Sequence, residues 1–185
     1  MLTSLSPDNL VRLSADVALG EFDCGVSDLN EFLLKDSINY LRQLMAVTYL
    51  VKDGDSIVAF FSLSNDNLTS DPGGRSIWNR LCRKIPNGKR RESYPAVKLG
   101  RLGVSQRVQC SGLGTLILDW MKFSFITNNK TGCRFIIVDA NNNSRTLSFY
   151  EKNDFDFLSE ADVRERTRQM FFDLKPFQDL SLAGK

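Results

Sequence analysis

In Gln109-Cys110-Ser111-Gly112-Leu113-Gly114, two glycines spaced by one residue stand where a strand pattern gives way to a helical one. Such a turn aims backbone N–H groups at one point, and the helix dipole adds partial positive charge there. The chemistry this suits is anion binding, a pyrophosphate in particular. Gly112 and Gly114 permit close approach because they carry no side chain. A glycine pair ahead of a helix also serves as plain turn chemistry. The stretch is not a Walker loop, since Gly-Lys-Ser/Thr is missing. A dinucleotide fingerprint would need glycine at Ile117 and an acidic residue near Arg134, and has neither.

The chain contains no histidine. That excludes Ser-His-Asp and Cys-His nucleophilic machinery and every His-ligated metal site. Acid–base work falls to Tyr, Cys, Lys, Asp, Glu or held water. Cys24, Cys82, Cys110 and Cys133 are scattered without a CxxC pair, which argues against a zinc knuckle and suits a reducing cytoplasm.

A second motif follows one strand later. Asn143, Phe149, Tyr150, Glu151, Lys152 and Phe155 match Asn-x-x-Ala-x-x-Phe-Tyr-Glu-Lys-x-Gly-Phe, with Thr146 for the alanine and Asp154 for the glycine. Gln109, Gly112 and Gly114 match Gln/Arg-x-x-Gly-x-Gly/Ala after the strand Leu99 to Val104. In this order and spacing the chain resembles the GNAT superfamily of acetyl-coenzyme A-dependent N-acetyltransferases over about 96 to 158. Phe22 to Leu33 further looks like the N-terminal segment of GNAT toxins that acetylate aminoacyl-tRNA.

The resemblance implies an acyltransferase with acetyl-CoA as acetyl donor and no metal. The pantetheine arm would lie along Leu102, Gly103 and Val104, opposite the strand Arg134 to Asp139. The pyrophosphate would rest on the amides of Gln109, Cys110, Ser111, Gly112, Leu113, Gly114 and Thr115. Asn143 would bind the cofactor arm or orient a water. Tyr150 would stand beside the thioester sulfur and protonate the departing thiolate as general acid. The mechanism implied is direct attack of a neutral primary amine on the acetyl carbonyl.

Lys98 and Arg101 are cations and make poor bases. Asp139 is the nearest base candidate in sequence and equally a strand-end cap. A missing base favours an acceptor with a low amine pKa: an α-amine near ~7.7–8.0 is substantially neutral at physiological pH, a lysine ε-amine near ~10.4 is not. Cys110, beside a helix start, is a conceivable acetyl carrier, but direct transfer needs none. The other three cysteines read as small buried apolar residues.

These motifs need elements to hold them. Ser6-Pro7-Asp8 could open a short helix or Leu10 to Leu13 form a first strand; the signals conflict, and the strand is preferred. Ser27 reads as an N-cap with Asp28 in the first turn. Leu29, Phe32, Leu33, Tyr40, Leu41 and Leu44 mark an amphipathic helix over about 28 to 44. Ala46 to Lys52 and Ser56 to Ser62 are strands joined by Asp53-Gly54, a tight-hairpin signal. Both faces of that hairpin are apolar, so helices should cover both. Asn65 to Gly74 reads as loop, Ile77 to Cys82 as a short helix, and Pro86-Asn87-Gly88 as a turn. Ala96 to Val104 is a strand, Leu113 to about 125 a helix, Arg134 to Asp139 a buried strand, and Ser144 to Asn153 a helix. Phe155 to Leu158 and Thr167 to Leu174 close the sheet, and the tail from Lys175 carries little signal. The fold class is α/β (α+β mixed): a mixed, mostly antiparallel sheet of six to seven strands with helices on both faces, splayed between central parallel strands as the GNAT resemblance implies.

At 185 residues, 42% apolar and 25% charged, the chain suits one globular domain over 1–185, with a basic insertion at about 65–93. Net charge is only +2, so any pull toward nucleic acid must be local. Arg75, Arg80, Arg83, Lys84, Lys89, Arg90 and Arg91 supply such a patch. Its plain reading is a solvated surface; its sharper one is a docking surface for tRNA. No signal peptide or membrane-length apolar run is present, so a cytoplasmic protein without membrane contact is expected. A homodimer is left open. The leading expectation is an N-acetyltransferase with an unidentified amine acceptor. The second is a GNAT toxin acting on the α-amine of aminoacyl-tRNA, and the third a non-catalytic acetyl-CoA-binding module.

Overall fold

The computed structural model describes residues 2, 4–70, 72–86, 91–129 and 132–183, with Pro72 and Ala183 as backbone only. Two compact units arise: Met1–Ser64 with Leu99–Phe123, and Asn65–Lys98 with Ser124–Lys185. Two long strands, β3 (Ser56–Thr69) and β4 (Ser93–Val104), run through both.

In the first unit, β1 (Leu10–Arg12) pairs antiparallel with β2 (Val47–Asp53), and β2 with β3. Asp53 pairs with Ser56 across a two-residue turn in which Gly54 has φ +60°, a left-handed angle that glycine adopts without penalty. The hairpin is covered on both faces, as its patterning requires. Phe60 is buried against Phe22, at 5.3 Å between centroids, and Phe32, at 6.2 Å. Phe61 and Tyr49 face the other way and meet Trp120 of α4 (Leu113–Thr127) at 5.7 and 5.5 Å. Truncating a buried Phe such as Phe60 to Ala costs about 3–5 kcal/mol.

The expected helix over 28 to 44 is three joined pieces: α1 (Ser27–Glu31), a π-helical turn (Phe32–Asp36) and α2 (Ser37–Arg42). Buried Ser37 donates its hydroxyl to the Leu33 carbonyl at 2.6 Å, answering an acceptor at the wide turn. Ser27 is not the N-cap. Val26 holds that place without a side-chain bond, and Ser27 is the first helical residue. Leu44 is not on the apolar face either. It has φ +56° and stands 92% exposed, and the Met45 and Leu44 amides bond back to the Tyr40 and Leu41 carbonyls. Leucine here fills the left-handed closing position that glycine usually takes.

In the second unit, β4 lies parallel to β5 (Phe135–Asn141) over Ala96–Lys98 against Phe135–Ile137. β5 then pairs antiparallel with β7 (Thr167–Asp173), and β7 with β6 (Asp156–Phe157). α3 (Arg75–Arg83) packs Trp78, Leu81 and Cys82 onto Leu68, Tyr94, Phe135, Ile137 and Phe171. On the opposite face, Tyr150 of α5 (Ser144–Glu151), Phe155, Phe172 and Phe177 form a chain of ring contacts.

Strand pairing follows the order β1-β2-β3-β4-β5-β7-β6, with one parallel pair. The fold is thus the expected mixed, mostly antiparallel sheet with flanking helices. Two further expectations need correction. Asn65 to Thr69 is not loop but the continuation of β3, where Leu68 is buried and its neighbours point to solvent. The tail is not featureless: α6 (Leu174–Ala183) packs Phe177 on Phe172 at 5.8 Å. Asn87 and Gly88 of the expected turn lie outside the described residues.

Candidate functional site

The glycine loop is tied down before it opens. The Ser105 amide bonds the Val58 carbonyl at 2.8 Å, and the Gln109 carboxamide donates to the Val104 carbonyl at 3.0 Å and the Cys24 carbonyl at 2.8 Å. Gln109 therefore clamps strand end to loop. Cys110 and Gly112 then take φ +61° and +86°. The first α4 bond runs from the Leu116 amide to the Gly112 carbonyl at 3.0 Å. Amides of the first helical turn have no intrahelical acceptor, which leaves donors at Leu113, Gly114 and Thr115 for a ligand. A Cβ built on Gly112 would have nothing within 4 Å, so the space before the nest is open. Leu113 is buried and anchors the turn, while Cys110, Gly112 and Thr115 are exposed and Ser111 half-buried. Gly114 is a helical residue, not part of the loop proper.

On β4, Leu102 and Val104 are half-buried and Gly103 is buried. A Cβ on Gly103 would lie 2.5 Å from Phe60 Cε1. Glycine at this position lets the Phe60 ring seat against the strand.

The Phe22 to Leu33 segment meets the same loop through Asp23. One carboxylate oxygen accepts from the Gly25 amide at 2.8 Å and Asn30 Nδ2 at 2.7 Å; the other accepts from Gln106 Nε2 at 3.0 Å. The Gly25 backbone bond, then the Asn30 and Gln106 side chains, hold this carboxyl below its ordinary pKa against a smaller desolvation effect. The knot joins residues 83 positions apart, a pairing that local patterning does not reveal. A groove of about 690 Å³ runs beside it, lined in part by Asn30, Glu31, Leu34 and Lys35.

In the second unit, Tyr150 is buried on the last turn of α5, with Phe149 and Phe155 rings at 5.1 and 5.4 Å. Among the described residues nothing hydrogen-bonds its hydroxyl. Burial alone pushes the phenol pKa well above its ordinary value, so the hydroxyl stays protonated. Asn143 is the N-cap of α5: its carboxamide oxygen accepts from the Thr146 amide at 2.9 Å. Capping engages one lone pair of that oxygen, so Asn143 has a structural task besides any contact with a ligand. Asp154, standing where the motif has glycine, has φ +63°, the left-handed geometry glycine would supply. Asp is among the few residues that tolerate it, so the turn survives the replacement.

Asp139 is neither a free base nor a cap. It accepts from Lys98 Nζ at 2.5 Å, with Asp66 a further 3.6 Å from the same ammonium and Gln169 Nε2 at 3.4 Å from Asp139. Desolvation pulls the Lys98 pKa down, but the Asp139 hydrogen bond and both carboxylate charges outweigh it and the net shift is upward. Lys98 is a fixed cation.

Arg75, Arg80 and Arg83 of α3, with Lys84 and Arg91, are exposed; Lys89 and Arg90 lie outside the described residues. Cys24, Cys82 and Cys133 are buried and Cys110 exposed. Among the described residues no group of His, Cys, Asp and Glu could hold a metal ion, and no helix is long and apolar enough to cross a membrane.

No family model matches the chain. Solved structures do. The AtaT–AtaR complex bound to DNA aligns at TM-score 0.66 and 25% identity, over 92% of this chain and 97% of that one. AtaT complexed with acetyl-methionyl-tRNAfMet aligns at 0.69 and 24%, over 93% and 99%. AtaTR bound with AcCoA aligns at 0.68 and 23%, over 94% and 98%. The chain shares the fold of these structures, and that fold is the one the GNAT resemblance implied.

Proposed function

From a GNAT-type fold carrying both motifs, we propose that the chain is an acetyl-CoA-dependent N-acetyltransferase whose acceptor is the α-amine of an aminoacyl-tRNA. This reading is favoured over acetylation of an unspecified small amine by the Asp23 knot: the toxin-like segment Phe22 to Leu33 is hydrogen-bonded to Gln106, and the Cys24 carbonyl to Gln109, both at the approach to the glycine loop. The same segment in a solvent-facing appendage would carry no such weight. AtaT, similar in fold, is held in complex with an acetylated aminoacyl-tRNA.

Gln109 to Thr115 receive the donor's pyrophosphate on open amides. The backbone of Leu102 to Val104 takes the pantetheine arm, and Asn143 offers its NH₂ group. The neutral amine attacks the acetyl carbonyl carbon, and the oxyanion is held by strand N–H groups. As the C–S bond breaks, the Tyr150 hydroxyl donates to the sulfur and passes it the proton, and the phenolate left behind takes a proton back from water once the site opens. Burial weakens the phenol as an acid, and it equally penalises a bare thiolate beside it. The amine's own proton leaves to water. Lys98 is held cationic and Asp139 is engaged by it, so an acceptor already neutral near pH 8 fits this chain better than a lysine side chain. The exposed cations of α3 suit the tRNA backbone.

The test is incubation with isotope-labelled acetyl-CoA and a cell extract retaining charged tRNA, followed by mass spectrometry of tRNA, protein and small amines separately. Label on the aminoacyl group is expected. Label confined to protein lysines or free amines overturns the acceptor assignment.

A further inference from the structure

Arg101 lies on β4 one residue ahead of Leu102, and its guanidinium is held in place without being fully answered. Nη1 donates to the Gly100 carbonyl at 2.9 Å, and the guanidinium carbon stands 5.2 Å from the centroid of the Phe32 ring. Asp28 stops 3.8 Å from Nε, inside ion-pair range and beyond a hydrogen bond. Nε is out of water and has no hydrogen-bond partner. Folded proteins pair nearly all such groups. Arg134 and Arg168 do so: Arg134 spans both oxygens of Asp173 at 3.0 Å, and Arg168 Nε meets Asp162 at 3.0 Å.

We infer that Arg101 is an acceptor-binding residue that takes a phosphate oxygen of the acceptor, displacing Asp28; this rests on the nucleic-acid acceptor proposed above. A planar guanidinium presents parallel N–H groups that fit a phosphate bidentately. The Phe32 ring and the Gly100 carbonyl already fix its orientation, so little freedom is lost on binding. Asp28 occupies the edge a ligand needs but is weakly held. Its side chain is 78% exposed, and it sits on a helix of five residues. Phosphate could also come from acetyl-CoA, but its pyrophosphate is provided for by the 109–115 amides. The acceptor is the source assigned, and the donor's remaining 3′-phosphate is the alternative that the separate acetyl-CoA titration tests.

The probe is an uncharged RNA minihelix with a single-stranded 3′ end, titrated against the full chain, with acetyl-CoA titrated separately. Arg101→Gln should weaken RNA binding about tenfold near ~0.1 M salt and lower the salt slope by about 0.7, one single-strand phosphate contact. Asp28→Ala removes an exposed carboxylate and folding is little affected. It should tighten RNA binding several-fold, and the gain should vanish in the Arg101→Gln background. A purely structural ion pair gives the opposite sign for Asp28→Ala. RNA affinity unchanged in Arg101→Gln, or weakened in Asp28→Ala, overturns the inference. A loss confined to acetyl-CoA overturns it in favour of the donor's phosphates. Acetylation of aminoacyl-tRNA is scored in parallel: its absence defeats the proposed function, while the RNA titration still decides Arg101.

Discussion

Lys98 Nζ lies 2.5 Å from a carboxylate oxygen of Asp139, two residues beyond Ile137, the last β5 partner of the parallel ladder. Asp66 on β3 shares the same ammonium, so three neighbouring strands meet through one cation. Both acids are more than a third exposed, which limits the pair's net worth to about 1 kcal/mol.

Lys98→Met should therefore lose about 1 kcal/mol of stability at pH 7, leaving two uncompensated carboxylates. The folded pKa of Lys98 is raised above its ordinary 10.5. Its contribution is complete below that unfolded value and fades as pH rises through the folded one. Urea denaturation at several pH values should give a constant wild-type advantage up to about pH 10, shrinking only beyond. A loss already visible between roughly pH 7 and 9 would contradict the ion pair. If water and not this carboxylate takes the amine's proton, Asp139→Asn should keep kcat within about threefold. A fall of 100-fold or so would make Asp139 the base after all.

Tyr150→Phe removes a hydroxyl that bonds nothing among the described residues, so stability should change by less than about 0.5 kcal/mol. If the hydroxyl protonates the thiolate, kcat should fall by roughly 10²–10⁴ with the KM for acetyl-CoA within a few-fold. Because burial raises this phenol's pKa, the wild-type alkaline limb due to it should lie above the ordinary tyrosine value of 10.0. Stability follows the same sign: the neutral phenol's contribution holds below the unfolded value and is lost above it. Stopped-flow and steady-state profiles to high pH check both. A kcat loss under about threefold would leave Tyr150 a packing residue.

Gly103→Ala places a methyl group 2.5 Å from Phe60 Cε1. With Phe60 wholly buried, overpacking should cost about 1–3 kcal/mol. Phe60→Leu frees the space, so the double variant should be more stable than additivity allows. Denaturant midpoints of the four-member cycle measure this coupling. Strict additivity would mean that Gly103 serves some other end.

Gly112→Asp and Gly112→Asn separate charge from conformation at the glycine loop. Both residues tolerate the left-handed φ of +86° better than most, and a Cβ there meets nothing within 4 Å. Only Asp brings a negative charge to the open amides. Isothermal titration should show acetyl-CoA binding about tenfold or more weaker for Asp than for Asn. Equal affinities would place the pyrophosphate elsewhere.

Local chemistry made much of this protein legible in its sequence. The Asp53-Gly54 hairpin, the strand-to-helix glycine turn and the two-faced apolar pattern of 47–62 each depend on near neighbours, and the structure contains them. The same logic failed where a distant partner decides. Asn65 to Thr69 looks polar, yet β3 continues through it because Leu68 enters the α3 core. Leu44 has helical spacing, yet the chain reverses there and leaves it exposed. Asp139, Lys98 and Asp66 come together only when three strands align, which turns a base candidate into an ion-pair acceptor. Arg101 and Asp28 are 73 positions apart by number, and only packing of α1 over β4 sets their 3.8 Å separation. Turn and strand propensities are carried by a few consecutive side chains, so the sequence alone determined them. Charge pairing, the seat of Phe60 on Gly103 and the protonation of Tyr150 depend on what the fold brings alongside and how much water it removes, which the tertiary structure alone decided.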